Sequence, residues 1–381
     1  MEDQNKKAVE LLDRYLQGVC TPEECAIVEA VYKQYAHQKP FKDGDVDFTR
    51  IGEDSFLKIS AAIDSKQRLP VRLWPRIAAA ASILLIISFG GYFLLNKQSV
   101  EQLAQNQQHD IAPGTNHAVL KIGRGKTVVL DSLAEVLIGQ QANTSINKTA
   151  DGALVYSSNN QAAETQMVYD TLIVPAGSKP YRLTLSDGTK LLVNVDSKVR
   201  FPERFAANER KIDLISGEAY FDVVHNATKP LSIVVKGQTI KDIGTHFNIN
   251  AYDNEPAVVT TLLEGSVSIL KGTENRTLAP GEQAIVKPGS NIVVKKADTE
   301  ETMAWKDGKF LYNSTSLGAI MKQVERWYGV KVVFEDDALK SKPFSVISTR
   351  FGMASQVLHN LEMTGEVKFK IEDKKIIVVN K

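Results

Sequence analysis

Cysteine is nearly absent from this chain of 381 residues, which has only Cys20 and Cys25. The long remainder cannot be a disulfide-stapled domain, so packing must hold it together. A metal site at the two cysteines would need two further ligands, and His37 is the only histidine close to them in sequence. We therefore expect no metal there, and we expect both thiols to stay reduced in the cytoplasmic segment defined below.

An excess of charge of either sign is also absent, because 46 basic side chains face 45 acidic ones. This balance gives no electrostatic footprint for direct binding of nucleic acid. The stretch "GRGKT" resembles part of a phosphate loop, but that motif needs a glycine where this chain has Leu120, and it needs a helix after Thr127, where "VVLDS" is typical of a strand. The sequence thus predicts no nucleotide site, and we expect no cofactor.

Charged side chains are missing altogether from residues 77–95, a run of 19 residues between Arg76 and Lys97. A helix of that length spans roughly 29 Å, close to the hydrocarbon thickness of a bilayer. A buried core helix is the alternative, but such a helix rarely runs this long without a polar face. We interpret 77–95 as one transmembrane helix.

The flanks of this run differ in charge, since four basic residues lie between 66 and 76 and only Lys97 lies just after it. Basic residues stay on the cytoplasmic side of a membrane. Residues 1–76 are therefore predicted to be cytoplasmic. The absence of cysteine from 96–381 fits the periplasmic part of a bacterial inner-membrane protein, with its C-terminus in the periplasm.

The first 76 residues show helical spacing of apolar side chains. "TPEE" is typical of a helix start, with Thr21 as the capping residue and Pro22 at the first helical position. A third short helix is predicted at about 55–65. These helices form a small all-α module whose apolar faces either pack on one another or stay partly open for a partner. The candidate partner-binding residues are Leu12, Tyr15, Leu16, Ile27 and Val31.

Alternating apolar residues replace the helical spacing after the polar linker. "HAVLKIGRGKTVVLD" and "YRLTLSDGTKLLVN" align at an offset of 63 residues, and each predicts two strands joined by a tight turn. We assign 96–165 to the linker and the first hairpin repeat. Short β-runs punctuated by glycine continue to residue 298, so 166–298 is predicted to be an all-β domain built as a solenoid or a sandwich.

From about Trp305 strands alternate with helices again. A helix from near Thr315 and a second at about 354–361 fall among five strands, which gives the order β-α-β-β-α-β-β. Residues 303–381 are therefore predicted to form a separate α+β domain. The expected fold class is multidomain: a small all-α module, one transmembrane helix, an all-β domain and this α+β domain.

Several motifs occur in one order with one spacing. They include "VPAGSKPYRLTLSDGTKLLVNVDSKVRFPERF", "ERKIDLISGEAYFDVVHNATKPLSIVV", "IKDIGTHFNINAY", "TTLLEGSVSI" and "LAPGEQAIV". Together they resemble the FecR family of bacterial transmembrane anti-sigma regulators. "FLYNSTSLGAIMKQVERWYGVKVVFE" resembles the C-terminal domain of one branch of that family, which is similar to the short N-terminal domain of secretins and TonB-dependent transducers. The resemblance covers roughly residues 170–381.

The resemblance implies a relay across the cell envelope. An outer-membrane TonB-dependent transporter would present its periplasmic signalling domain to the periplasmic part of this chain. The cytoplasmic helices would then release an extracytoplasmic-function sigma factor, which controls transcription of uptake genes. Site-specific proteases act in this release in the family. On this interpretation the five residues named above are sigma-binding candidates, and the protein is not an enzyme.

Gly244 and Thr245 are the one place where the resemblance implies chemistry, because some family members are cleaved at a Gly-Thr of this motif. A threonine hydroxyl can attack the preceding carbonyl, and hydrolysis of the resulting ester then cuts the chain. The alternative is structural: Gly244 permits a bend and Thr245 begins a strand. The sequence identifies no base for the reaction.

Two other functions remain as rivals. An envelope-anchored protein that binds glycan or acts as a scaffold would need exposed aromatic platforms, for which Trp305 and Trp327 are the tryptophans outside the membrane flank. A glycosidase would need a pair of carboxylates such as Asp187 and Glu218, but no spacing in the sequence fixes their separation. We expect Glu218 to lie at a turn or the edge of a sheet, and His246 to be a partly exposed strand residue.

Overall fold

The computed structural model describes residues 14–15, 19–21, 25–26, 28, 110–123, 125–130, 136–141, 144–158 and 167–381. The chain divides into two compact units, Met1–Asp110 and Ile111–Lys381, which are described separately. In the first unit the described residues at 14–15, 25–26 and 28 are helical. The predicted third helix at 55–65 and the predicted membrane segment at 77–95 lie outside the described residues.

The two cysteines correct one expectation. Cys20 and Cys25 are joined by a disulfide, with their Cα atoms 5.8 Å apart. The expectation that both thiols are reduced is therefore wrong for this structure. It followed from the predicted compartment, whereas the short separation along the chain is what brings the two side chains within bonding reach. As disulfide sulfurs they are not available as thiolate ligands for a metal.

The second unit begins with a β body, which comprises strands between residues 119 and 296. Its strands are β1 (Val119–Ile122), β2 (Lys126–Val129), β3 (Val136–Gln141), β4 (Thr144–Lys148), β5 (Leu154–Ser158), β6 (Tyr169–Val174), β7 (Tyr181–Thr184), β8 (Lys190–Val193), β9 (Ser197–Pro202), β10 (Arg210–Asp222), β11 (Leu231–Val235), β12 (Gln238–Asp242), β13 (His246–Ala251), β14 (Val258–Glu264), β15 (Val267–Lys271), β16 (Glu274–Leu278), β17 (Glu282–Val286) and β18 (Ile292–Lys296). Buried and exposed side chains alternate along many of them, as a half-buried strand requires.

These strands form two sheets that share the long strand β10. One sheet has the order β2-β1-β6-β9-β10-β11-β12-β15-β16. The other has the order β3-β4-β5-β7-β8-β10-β13-β14-β17-β18. Strand β10 passes from one sheet to the other at an irregularity between Leu214 and Ser216, followed by Gly217 with φ +101°. A bulge of this kind bends a strand, so one strand can serve both layers of a sandwich.

The apolar residues of the two sheets share one core, and the two hairpin repeats contribute to it equivalently. Strands β1 and β2 pair as an antiparallel hairpin, as do β7 and β8. Leu120 of the first repeat and Leu183 of the second, at the predicted offset, are both fully buried. The turns contain Gly125 and Gly188, both with positive φ. The repeat read from the sequence is therefore confirmed at the level of these hairpins.

A C-terminal domain follows the β body. Its elements are α1 (Thr299–Met303), β19 (Lys309–Ser316), α2 (Leu317–Tyr328), β20 (Lys331–Phe334), a 3-10 helix (Asp337–Ser341), β21 (Pro343–Thr349), α3 (Ala354–Glu362), β22 (Val367–Glu372) and β23 (Lys375–Asn380). Strand β19 pairs with β21, while β23 lies between β20 and β22. The apolar side chains that recur at helical spacing in α2 are all buried, namely Leu317, Ile320, Met321, Val324 and Trp327. Gly329 ends that helix with φ +65°.

The C-terminal domain packs closely on the β body. The backbone N–H of Gly177 donates to the carbonyl of Arg326 at 2.8 Å. A Cβ added to Gly177 would lie 3.2 Å from Cα of Gly329, and one added to Gly329 would lie 3.0 Å from Cα of Gly177. Each glycine also has positive φ, so two positions without side chains let the backbones of the two parts touch.

The expected fold class is wrong. The structure is mainly β, a large sandwich with a smaller mixed domain, and not an all-α module joined to a membrane helix. Among the residues that the structure describes, no helix is both long and apolar enough to cross a membrane. The predicted fold class relied on the hydropathy of residues 1–95. The architecture is determined instead by strand pairing within Ile111–Lys381. Of the two alternatives predicted for the all-β domain, a solenoid and a sandwich, the structure has the sandwich, with two facing sheets.

Candidate functional site

The junction of Gly244 and Thr245 lies in the short connection between β12 and β13. Gly244 has φ +142°, and a Cβ added there would lie 2.5 Å from Cα of His225, so only glycine fits. The side chain of Thr245 is buried, with a relative exposure of 4%. Its hydroxyl donates to Oδ1 of Asp242 at 2.5 Å, and the backbone N–H of Gly244 donates to the same oxygen at 3.2 Å.

Asp242 supplies the carboxylate that sequence reasoning did not find. It is 1% exposed, and its Oδ2 has no hydrogen-bond partner among the described residues. Burial raises the pKa of Asp242, while the hydrogen bonds from Thr245 and Gly244 oppose that shift. A buried carboxylate in contact with a hydroxyl is placed to accept its proton. The signal was present in the sequence as the three-residue spacing between Asp242 and Thr245.

A second buried carboxylate, Glu218, lies within β10. Its Oε1 accepts hydrogen bonds from the amides of Asn248 at 2.9 Å and Asn250 at 3.3 Å, and its Oε2 accepts one from Asn194 at 2.8 Å. Burial raises the pKa of Glu218, and the amide donors of Asn248 and Asn194 act in the opposite direction. The expectation of a turn or sheet-edge position is wrong, because β10 pairs here with β8 on one side and β13 on the other.

The region around Glu218 connects the β body with the C-terminal domain. The indole N–H of Trp305 donates to Oδ1 of Asn248 at 3.3 Å. Arg326 donates to Oε1 of Glu255 at 3.0 Å and lies over the ring of Tyr252, 3.9 Å from its centroid. No local pattern in the sequence indicates these contacts, because the partners are separated by 57 or more positions.

The carboxylate pair proposed for a glycosidase belongs to two different networks. Asp187 accepts from Arg210 at 2.9 Å and from the hydroxyl of Thr189 at 2.9 Å. Glu218 accepts from asparagine amides, none of which contacts Asp187 in the structure. Each carboxylate is thus hydrogen-bonded to its own set of donors. The geometry does not bring the two together as a catalytic acid and base.

Residue His246 is a partly exposed strand residue, as the sequence predicts, with 41% of its side chain accessible. Its Nδ1 lies 3.1 Å from Glu264 and its Nε2 lies 3.2 Å from Asp222. The described part of the chain holds no group of side chains suited to a metal ion.

Both tryptophans that a glycan platform would require are buried. Trp305 is 4% exposed, and Trp327 is 2% exposed with its N–H bonded to the carbonyl of Arg350 at 2.7 Å. Neither ring presents a face to solvent on which a sugar could stack. These two tryptophans therefore do not provide the exposed aromatic platform that a glycan-binding protein would need.

The sigma-binding candidates lie mostly beyond what the structure covers. Tyr15 is helical and half-buried. Leu12, Leu16, Ile27 and Val31 lie outside the described residues. The helical state of Tyr15 agrees with the predicted helix, whereas the binding role of all five residues stays a prediction.

Two family models match the chain. The model described as FecR protein matches residues 171–268, and the model described as FecR, C-terminal matches residues 309–378. The first runs from Thr171 within β6 to Ser268, the second residue of β15, and includes Glu218 and the Gly244–Thr245 junction. The second covers the C-terminal domain from β19 to β23.

Solved structures give the same fold. Two crystal structures, at 1.65 and 2.50 Å resolution, of a protein from Parabacteroides distasonis ATCC 8503 described as a candidate anti-sigma factor are each 23% identical to this chain. The TM-scores are 0.51 and 0.52, over 55% and 56% of this chain and 99% and 100% of the other. No curated protein matches the chain. The two domain matches, in their expected order, confirm the FecR resemblance over residues 171–268 and 309–378.

Proposed function

We propose that this protein is an anti-sigma regulator that holds an extracytoplasmic-function sigma factor and releases it when an outer-membrane TonB-dependent transporter signals. The observation that carries the proposal is the FecR domain followed by its C-terminal partner domain. The fold shared with the Parabacteroides protein adds support. On this proposal the protein binds other proteins and catalyses no reaction on an external substrate, and it controls transcription without contacting nucleic acid.

The proposal includes a location. Residues 1–76 would face the cytoplasm and the FecR domains would face the periplasm of a bacterial inner-membrane protein, where site-specific proteases could reach them. The unequal basic charge on the two sides of 77–95 supports this orientation. A periplasm-dependent reporter fused to the full chain at its C-terminus should be active in the native cell. Activity of a cytoplasm-dependent reporter at the same position would contradict the orientation.

Capture of the sigma factor tests the central claim. The full chain with a C-terminal tag, cross-linked in its native bacterium, should retain one sigma factor. The change Leu16→Asp places a charge on the predicted apolar stripe and should reduce capture at least tenfold, or about 1.4 kcal/mol. Gln17→Asp is the matched control, because it adds the same charge off that stripe.

The outcome is clear in either direction. Equal capture by both variants at equal protein level would show that this stripe does not bind the sigma factor. Recovery of no sigma factor with the unchanged chain would remove the anti-sigma proposal itself.

We also propose that the chain can cut itself between Gly244 and Thr245. The hydroxyl of Thr245 would attack the carbonyl carbon of Gly244 while Asp242 accepts its proton, and the peptide nitrogen would take up a proton as the C–N bond breaks. Water would then hydrolyse the ester, leaving a carboxylate on Gly244 and a free amine on Thr245. The contact between Thr245 and Asp242 supports this order of events.

Mass spectrometry of the purified full chain tests the cleavage. A fragment beginning at Thr245 is expected from the unchanged protein and from Thr245→Ser, which keeps a hydroxyl. Thr245→Val should give intact chain only, and Asp242→Asn should slow the appearance of the fragment. Intact chain in every sample would mean that the junction is solely structural.

A further inference from the structure

His225 lies against the proposed cleavage junction, in the connection that follows β10. Two backbone hydrogen bonds hold this connection beside the one between β12 and β13. The N–H of Val223 donates to the carbonyl of Thr245 at 3.1 Å, and the N–H of Asn226 donates to the carbonyl of Ile243 at 2.7 Å. Because these bonds lie on either side of His225 along the chain, they fix its backbone opposite the junction.

The imidazole of His225 comes close to the residue whose carbonyl would react. A Cβ placed on Gly244 would lie 2.8 Å from Nδ1 of His225. Because a carbon–carbon bond is about 1.5 Å long, Nδ1 lies within about 4.3 Å of the Gly244 Cα, and the carbonyl carbon is one further bond away. One water molecule can span that distance, at about 2.9 Å from the nitrogen and about 3–3.5 Å from the carbonyl carbon.

This imidazole is exposed, and it makes no hydrogen bond or ion pair with any described residue. His246, which follows Thr245 in the sequence, instead lies between two carboxylates, 3.1 Å from Glu264 and 3.2 Å from Asp222. An imidazole is the side chain that most often serves as a general base near neutral pH. Of these two histidines, His225 is therefore the one with a ring nitrogen left to bind and activate water.

Asp242 is not placed to activate that water. It is 1% exposed, and its Oδ2, which has no partner among the described residues, is enclosed by protein. Its Oδ1 already accepts from the hydroxyl of Thr245 and from the N–H of Gly244. Gly244 is only half-buried, so solvent reaches this residue even though it does not reach Asp242. Hydrolysis of an ester at Gly244 therefore calls for a base on the exposed side.

We propose that His225 is the general base for hydrolysis of the ester, an inference that rests on the self-cleavage proposed above. Water attacks the carbonyl carbon of Gly244 while Nδ1 of His225 takes one of its protons. The bond from that carbon to Oγ of Thr245 then breaks, and Oγ takes the proton back from the imidazolium. The products are a carboxylic acid on Gly244, which ionises, and the free hydroxyl of Thr245. The cleavage thus uses a buried base for the acyl shift and an exposed base for water.

Hydroxylamine separates these two steps, because it cleaves an ester without a protein base and leaves a hydroxamate on Gly244 in place of a carboxylate. The chain has no Asn-Gly pair, the peptide bond that hydroxylamine otherwise attacks. The newly synthesised full chain and its His225→Gln variant are each incubated with and without excess hydroxylamine, and mass spectrometry follows the fragment that begins at Thr245. In water alone, His225→Gln should form this fragment roughly tenfold more slowly or less, because a general base contributes about 10²–10⁴-fold. With hydroxylamine the two proteins should form it equally fast, because the acyl shift does not use His225.

His359→Gln is the matched control, because it removes an exposed imidazole from α3 and should cleave like the unchanged chain. Equal cleavage of His225→Gln and the unchanged chain in water would overturn this inference and leave self-cleavage intact. An equal slowing with and without hydroxylamine would also overturn it, since His225 would then act on the acyl shift or on the packing of the junction. No fragment from the unchanged chain in either condition would remove the self-cleavage proposal together with this inference.

Discussion

Asp242 and Glu218 are both buried carboxylates of the β body, yet they are held in different ways. Asp242 accepts hydrogen bonds from Gly244 and Thr245, two and three residues further along the chain. Glu218 accepts from asparagines that are 24 to 32 residues away. The first arrangement is built by one tight connection, and the second requires three strands to be in register.

The two carboxylates also differ in how many hydrogen-bond donors they are bonded to. Oδ2 of Asp242 has no partner among the described residues, whereas both oxygens of Glu218 are bonded. A carboxylate with an open oxygen retains capacity to accept a proton, while a fully bonded one serves to fix its neighbours. The difference supports the proposed chemistry at the connection after β12 and a structural role for the carboxylate at the centre of β10.

Gly244→Ala should have the largest effect on stability among the changes that test this comparison. The new Cβ would lie 2.5 Å from Cα of His225, and φ +142° adds strain, so we expect a loss of about 3 kcal/mol. Gly237→Ala is the matched control, because Gly237 has φ +77° with nothing within 4 Å of the added atom. It should cost about 1 kcal/mol in denaturant unfolding. Equal losses would show that the junction is not tightly packed.

The two sites show how far the sequence could be read. The hairpins at 119–129 and 181–193 and the apolar face of α2 follow from local period and turn residues, and the structure contains them. The Gly244–Thr245 connection was equally visible, and Asp242 could have been found by its spacing. Local interactions leave local patterns in a sequence.

Contacts distant along the chain left no such pattern. Nothing near Glu218 in the sequence indicates that Asn248 or Asn250 would bind it, and the partition of β10 between two sheets depends on pairings with four other strands. A cavity lined by Glu218 and Arg350 likewise appears only after two domains meet. The predicted fold class was wrong for a related reason. Composition alone does not show whether a charge-free run or extensive strand pairing determines the fold class.

Glu218→Ala should have the second-largest effect. It removes the acceptor for the amides of Asn194, Asn248 and Asn250, and each buried donor left unpaired carries a cost. Water from the adjoining cavity can reach some of these amides, so we expect a net loss of about 2 kcal/mol. Glu264→Ala, whose side chain is 77% exposed, should change stability by less than about 0.5 kcal/mol. A smaller loss for Glu218→Ala than for this control would mean that the amide network is not structural.

Glu203 extends the comparison to a third buried carboxylate, and its effect should appear in the pH dependence of stability. Its Oε1 has no partner among the described residues, and burial, followed by the charge of Asp170, raises the pKa of Glu203 from 4.5 to about 7. Between these two values the unfolded chain loses the proton while the folded protein keeps it. The folding free energy contributed by Glu203 is therefore complete below pH 4.5 and declines as the pH rises to about 7.

Glu203→Gln keeps the shape of the side chain without its ionisation, so it should lessen the fall in unfolding free energy between pH 4.5 and about 7. Glu209→Gln, at an exposed position, should leave the fall unchanged. Other buried acids, Asp170 and Asp242 among them, also have raised pKa values, so part of the slope should remain. Denaturant titrations at several pH values measure it. Glu203→Gln and Glu209→Gln could give the same slope of unfolding free energy against pH. In that case an oxygen without a partner on a buried carboxylate would not by itself indicate a group that keeps its proton. The distinction between Asp242 and Glu218 would then lose its basis.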